Sequence, residues 1–210
     1  MLVTAGRRAG KTSAAAAEFL TRVWRQKERE RPPRREDPAA IFARRPRRLY
    51  WICAPTYQHL QEPMRYVFEF LPLSIAAMLR DERVAGWRAQ ERRLWLPGDI
   101  EIAFRSGEDP LALVGVRLDG VWLDEAARIK AEAWQFLRPA LTDSRGWLIA
   151  TTTPLGRNWV WSELYRRGAE GDPMRDPEYA QLAWPTSANP YIAAAELEQA
   201  GECHGELRDD

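Results

Sequence analysis

Short apolar runs alternate with longer amphipathic stretches along the chain, and the two kinds of block predict different elements. The opening "MLVTA" leads into a glycine-containing turn and reads as the end of a buried strand. From Lys11, "KTSAAAAEFLTRVWRQKERE" is rich in helix formers and predicts a helix of about four to five turns. "RPPRREDPAAIFARRPRR" carries too many prolines and charges for regular structure and reads as a surface loop. "LYWICA", closed by Pro55, suits a strand covered on both faces. "TYQHLQEPMRYVFEFL" reads as helical, with Pro63 as its start or a kink. "RRLWLPGDIEIAF" alternates on both sides of "PGD" and predicts a β-hairpin. "GVWLD" and "GWLIATTT" are two further strand-like runs, each ending in acidic or small polar residues. "NWVWSELYRRG" predicts a helix with Gly168 as C-cap, and "YAQLAW" a strand. "NPYIAAAELEQA" predicts a helix capped by Asn189, with Pro190 in its first position. Strands alternating with helices predict an α/β sandwich around a mostly parallel sheet.

Composition narrows the class. With 45% hydrophobic residues, 210 residues can bury a substantial core as one domain. A formal net charge of +1 excludes bulk attraction to a polyanion or a membrane surface as the basis of function. Locally the charge is uneven. Arg22–Arg48 holds eleven basic against four acidic residues, whereas Glu196–Asp210 holds six acidic and one basic. The basic stretch admits two readings, a solvated loop or a DNA contact surface. No apolar run is long enough to span a bilayer and no signal-peptide pattern opens the chain, so no membrane partner is expected. Cys53 and Cys203 give neither a disulfide framework nor a metal spacing, and with only His59 and His204 beside them a zinc site is not expected. Cys53, inside an apolar run, reads as core packing. The expectation is a soluble protein of a reducing compartment.

The chain has 28 arginines but three lysines, and one of the three is Lys11, inside "VTAGRRAGKTSA". Ala5-x-x-x-x-Gly10-Lys11-Thr12 fits a phosphate-binding loop with alanine in place of the usual first glycine. A turn entering a helix presents backbone N–H groups to an anion, and the helix dipole adds positive potential. Arg8, Ala9, Gly10, Lys11, Thr12 and Ser13 are therefore the candidate ATP-binding set. Gly10 lets the backbone approach phosphate, and Gly6 supplies the flexibility that Ala5 lacks. Lysine is a compact, rotatable charge, whereas a planar guanidinium is too bulky for the same hole. Thr12 offers a hydroxyl to Mg²⁺. A triphosphatase also needs an apolar strand ending in acids beside that loop, and "DGVWLDEAARI" supplies one. Asp124 can hold the metal shell and Glu125 can orient and deprotonate the attacking water. An Asp-Glu pair also suits a solvated helix start. "LIATTTPLGRNWV" ends a strand in threonines, which suit a γ-phosphate sensor but are ordinary strand formers as well.

Taken together, these stretches resemble the ATPase domain of the large terminase subunit of tailed bacteriophages. "AGRRAGKTSAA" looks like the family's phosphate loop and "YWICAPTYQHLQE" like its adjacent strand and turn. "LWLPGDIEIAFRSGEDPLALVGVRLDGVWLDEAARI" looks like its hairpin, linker and acidic strand. "LRPALTDSRGWLIATTTPLGRNWVWSELYRRG" is similar to its coupling motif and following helix, and "PTSANPYIAAAELEQA" to the segment after that. The resemblance implies a P-loop NTPase fold of the RecA-like/ASCE class, a three-layer αβα sandwich with a mostly parallel central sheet plus a β-hairpin. It implies ATP and Mg²⁺ as cofactors, with Lys11 and Thr12 on phosphate and metal, Asp124 on the metal and Glu125 as catalytic base. Arg7 would stabilise transition-state charge, and Thr153, before Pro154, would couple γ-phosphate loss to movement. The implied function is an ATP-hydrolysing motor that packages viral double-stranded DNA in the bacterial host cytoplasm. Its implied partners are DNA, a portal, a small terminase subunit and further copies of the chain in a ring. Residues 1–200 would form this domain, shortened at its N-terminus, and 201–210 an acidic tail, with the family's nuclease domain absent. Two other readings stand beside it: a helicase-like nucleic-acid-dependent ATPase, suggested by "APTYQ" and "DEAA", and a non-catalytic nucleotide-binding prophage remnant.

Overall fold

In the computed structural model, residues 1–6, 8–28, 48–79 and 86–190 are described. Arg7, most of the proline-rich basic stretch, the helix expected from Pro190 (all but that first residue) and the acidic tail with Cys203 and His204 lie outside the described residues.

The first apolar run forms β1 (Leu2–Ala5), and α1 (Lys11–Glu28) follows the turn. Ala15, Ala16, Phe19, Leu20 and Val23 recur at helical spacing on the buried side of α1. β2 (Arg48–Ala54) is the second apolar run, buried from Tyr50 onward. α2 (Gln61–Glu69) begins later than the sequence suggests, and Pro63 sits in its first turn, where no N–H donor is needed. The short α3 (Leu73–Met78) and the strand β3 (Gly86–Arg88) have no counterpart in the sequence reading. β4 (Arg93–Leu96) and β5 (Ile100–Ser106) make the expected hairpin around "PGD", where Gly98 and Asp99 have φ of 91° and 56°. β6 (Gly120–Leu123), α4 (Ala131–Thr142) and β7 (Trp147–Thr152) follow.

The helix expected over 158–168 departs from plain α geometry: Trp161–Tyr165 form a π-helical turn that continues into α5 (Arg166–Gly168). Gly168 is the last helical residue and not a left-handed cap. Space is its constraint, since a Cβ there would stand 3.2 Å from Gln181 Cβ. β8 (Gln181–Trp184) closes the series.

Among the described residues, eight strands form one sheet in the order β3-β4-β5-β2-β6-β7-β1-β8. The six from β5 to β8 are parallel, and β4 and β3 add an antiparallel edge. Helices cover both faces. On one, Phe19 and Val23 of α1 and Leu60 and Val67 around α2 meet Tyr50, Ile52, Phe104 and Trp122. On the other, Ala133 and Leu137 of α4 meet Trp51, Cys53, Val121 and Leu123. This is a three-layer αβα sandwich around a mostly parallel sheet, with the expected hairpin at one edge. Because β7 lies between β6 and β1, the acids after β6 must reach across one strand to the loop after β1.

Candidate functional site

The loop between β1 and α1 opens the carboxyl end of the sheet, where parallel α/β sheets place their ligands. Gly10 has a φ of +76° and a Cβ there would meet no atom within 4 Å, so conformation, not room, demands glycine. At Gly6 the reverse holds: a Cβ would run into Thr186 Oγ1. The flexibility expected of Gly6 is therefore a close approach instead, and Ala5 is tolerated because it is the buried last residue of β1. Arg8 is exposed and left-handed, with a φ of 58°. The first turn of α1 holds no acidic residue, so the positive end of its dipole is not offset from within. Lys11 and Thr12 are each only 8% exposed, a burial rarely tolerated for an ammonium without partners. Ser13 follows them, half-buried, on α1.

Asp124 directly follows β6 and is 3% exposed. Its backbone N–H donates to Cys53 O at 2.8 Å, which extends the β2–β6 ladder by one step. Two hydroxyls converge on its Oδ1: Thr151 Oγ1 at 2.6 Å and Thr12 Oγ1 at 3.3 Å. Behind Thr151, Trp122 Nε1 donates to the same hydroxyl at 2.9 Å. Burial pushes the Asp124 carboxyl up to about 6. The Thr151 hydrogen bond pulls it down, Glu125 raises it, and Lys11 and Thr12 lower it. A buried carboxylate so short of positive charge, beside a neutral hydroxyl, is a hard-oxygen pair that suits Mg²⁺. Among the described residues no group of three or more His, Cys, Asp or Glu could hold a metal, so such an ion would take its remaining ligands from phosphate and water.

Glu125 adopts the left-handed conformation (φ 49°, ψ 45°), unusual for a non-glycine residue and found most often where a site holds the backbone in place. Its Oε1 lies 3.0 Å from Lys11 Nζ, and the same ammonium donates to Thr153 Oγ1 at 3.3 Å. Thr152 Oγ1 accepts from Ala127 N–H at 3.2 Å and donates to Thr153 O at 2.9 Å, tying the end of β7 to the turn after Glu125.

Lys11, Glu125 and Thr153 thus form one polar cluster and Thr12 and Asp124 a second, set side by side because 11–12 and 124–125 are neighbours in the chain. Three further contributions escaped the sequence reading. Thr151 was read there only as one of three strand-end threonines suited to a γ-phosphate sensor, not as the partner of Asp124. Trp184 Nε1 donates to Ala9 O at 2.8 Å, and Asn189 Nδ2 donates to Arg8 O at 2.5 Å. The sequence offered Trp184 only as the last residue of a strand candidate and Asn189 only as a helix cap, and neither signal points to the phosphate loop.

Comparison with known proteins gives a family and a fold. Residues 2–200 match the family model described as terminase large subunit, T4likevirus-type, N-terminal. Large terminase subunits of Thermus phage G20c and Thermus virus P23-45 are each 30% identical over 179 residues, covering 79% of this chain and 33% of the relative. The chain therefore spans about a third of the length of these curated relatives. Among solved structures, the large terminase ATPase domain of Thermus phage P74-26 superposes with a TM-score of 0.63 at 23% identity, covering 94% of this chain and 85% of that one. The large terminase of another thermophilic bacteriophage, solved in complex with ADP, gives 0.66 at 13% identity, covering 98% and 45%. At these identities the structural likeness speaks for the fold.

Proposed function

Since the chain belongs to the family of T4likevirus-type terminase large subunits, matching their N-terminal region, we propose that it is an ATP-hydrolysing motor unit for packaging viral double-stranded DNA. The observation that carries the reading is the 3.3 Å contact between Thr12 Oγ1 and Asp124 Oδ1, made across the intervening strand. It joins a phosphate loop and an acidic strand that are 112 residues apart.

In this reading the N–H groups of the loop and Lys11 bind the β- and γ-phosphates, and Thr12 and Asp124 hold Mg²⁺. When bound, the metal supplies charge stabilisation to the transferring phosphoryl group. Lys11 is shared between Glu125 and Thr153, and a triphosphate competes for its ammonium. Once Lys11 turns to phosphate, Glu125 is released to orient a water and accept its proton. Thr153, losing the same partner, changes state at the root of the Pro154–Asn158 loop, which gives hydrolysis a route to movement. Arg7, outside the described residues, would stabilise transition-state charge from within the loop. Packaging must be indifferent to sequence, so contacts with DNA go to phosphates and not to base edges. A portal, a small terminase subunit and further copies in a ring, in the host cytoplasm, complete the proposal.

Phosphate release with Mg-ATP tests it. Lys11→Ala and Glu125→Gln should each lower the rate by about a hundredfold or more, the scale of losing one electrostatic or proton-transfer group. Equal rates in wild type and both variants would overturn the reading. Strand separation by the chain would favour a helicase instead.

A further inference from the structure

β1 and β8 leave the carboxyl end of the sheet side by side. Ala5 lies opposite Trp184 in their parallel register, so the segments that follow travel together. β1 runs into the phosphate loop, and β8 runs into Pro185, a 3-10 turn over Thr186–Ala188, and Asn189. Three contacts tie the second segment to the first. Trp184 Nε1 reaches Ala9 O at 2.8 Å, and Asn189 Nδ2 reaches Arg8 O at 2.5 Å. Thr186 packs so closely on Gly6 that a Cβ would run into its Oγ1 and stand 2.9 Å from its backbone N. A displaced side chain cannot relieve the second clash, because backbone stands there.

A trans peptide is planar, so the carbonyl of one residue and the N–H of the next point in opposite directions. Drawing the Arg8 and Ala9 carbonyls toward the strap at 184–189 therefore aims the Ala9 and Gly10 N–H groups away from it. The same hydrogen bonds hold Arg8 in its left-handed conformation, which a side-chain-bearing residue adopts only under constraint. Phosphate loops bind anions through a concave set of backbone N–H groups, and two of those groups owe their direction here to Trp184 and Asn189.

We propose that Trp184 and Asn189 are positioning residues of the triphosphate site, which fix two peptide planes of the phosphate loop from outside. This rests on the ATP-binding reading above. Neither side chain touches the nucleotide; both act by preorganising the N–H groups that do, so their loss weakens binding more than chemistry.

The test is calorimetric titration of the full chain with Mg-ATPγS. Trp184→Phe keeps a ring and deletes the donor, and Asn189→Asp keeps the shape while turning a donor into an acceptor. Each substitution should raise Kd about fivefold and the pair about 25-fold, the scale of one and two hydrogen bonds. In steady-state hydrolysis the loss should fall on KM, with kcat less affected. Thermal unfolding of each variant without nucleotide, recorded alongside, shows that the fold is intact. If the pair proves unfolded, Trp184→Phe alone carries the test. An unchanged Kd in the folded variants, with affinity lost in Lys11→Ala, overturns this inference and leaves the ATP reading standing. A kcat loss at constant Kd overturns it too. Absence of binding by the wild type removes both.

Discussion

The Thr151 hydroxyl is the most heavily used atom of the site: it accepts from the buried Trp122 indole and donates toward Asp124 Oδ1. Thr151→Val keeps the shape and removes both bonds, leaving a fully buried indole N–H unpaired and a buried carboxylate with one donor fewer. The expected cost is about 2–3 kcal/mol of unfolding free energy, read from the denaturant midpoint, with Thr151→Ser recovering most of it. A Val variant as stable as wild type would show that this chain of hydrogen bonds contributes nothing. At this scale the sequence was legible where chemistry dictates residue type. Lysine between Gly10 and Thr12, and an acid pair after an apolar strand, announce themselves through spacing. Thr151 did not, because nothing local separates a threonine that holds a carboxylate from one that merely suits a strand. Trp184 and Asn189 were hidden for a different reason: each meets its partner across more than 170 residues of chain. The reading of Gly6 as a flexible point was half right. It located the glycine but missed Thr186, which supplies its physical reason.

Elements were legible when periodicity and punctuation agreed. The apolar runs gave five strand positions and the "PGD" turn gave the two of the hairpin, whereas β3, three residues long and half-exposed, carries too little pattern to detect. The π-helical turn at Trp161–Tyr165 was also out of reach, since a one-residue widening leaves the amphipathic pattern almost unchanged. Side-chain fit between elements shows most sharply at the seam of β6 and β7. Gly120 pairs directly with Trp147, and a Cβ on Gly120 would stand 2.5 Å from the indole. Trp147 has little freedom to yield. Phe19 lies 5.4 Å away edge-on, Tyr50 lies 5.8 Å away, and Arg22 sits over the ring at 5.5 Å. Gly120→Ala should therefore cost about 1–3 kcal/mol by overpacking. Trp147→Phe, which vacates the contested space, should make the double variant less destabilised than the sum of the singles. Strict additivity in that cycle would mean that Trp147 moves aside freely.

On the scale of the whole molecule, the order of the strands matters more than their identity, and order was the least legible feature. Alternating strands and helices announce a parallel sheet, but only long-range pairing puts β7 between β6 and β1, and the site depends on that insertion. One residue reports on the integrity of this arrangement. Cys53 is fully buried in β2, in the middle of the sheet, and burial pushes its thiol up to about 12. The neutral thiol is unreactive, so alkylation near pH 8 must wait for an opening of the sheet. Its carbonyl accepts from Asp124 N–H, which links the reporter to the acidic strand by one hydrogen bond. If β2, β6, β7 and β1 open as one unit, a ligand that binds only the closed form must slow the reaction by mass action. Mg-ATPγS at about 100 times its Kd stabilises that form by about 2.7 kcal/mol, which corresponds to roughly hundredfold slower modification. Mass spectrometry of the Cys53 peptide measures this directly, whatever happens at Cys203. Lys11→Ala, at the same nucleotide concentration, should show almost none of the protection. Equal slowing in wild type and Lys11→Ala would place the nucleotide away from the phosphate loop. No slowing in a wild type shown to bind would mean that β2 opens on its own, separate from the strands that carry the site.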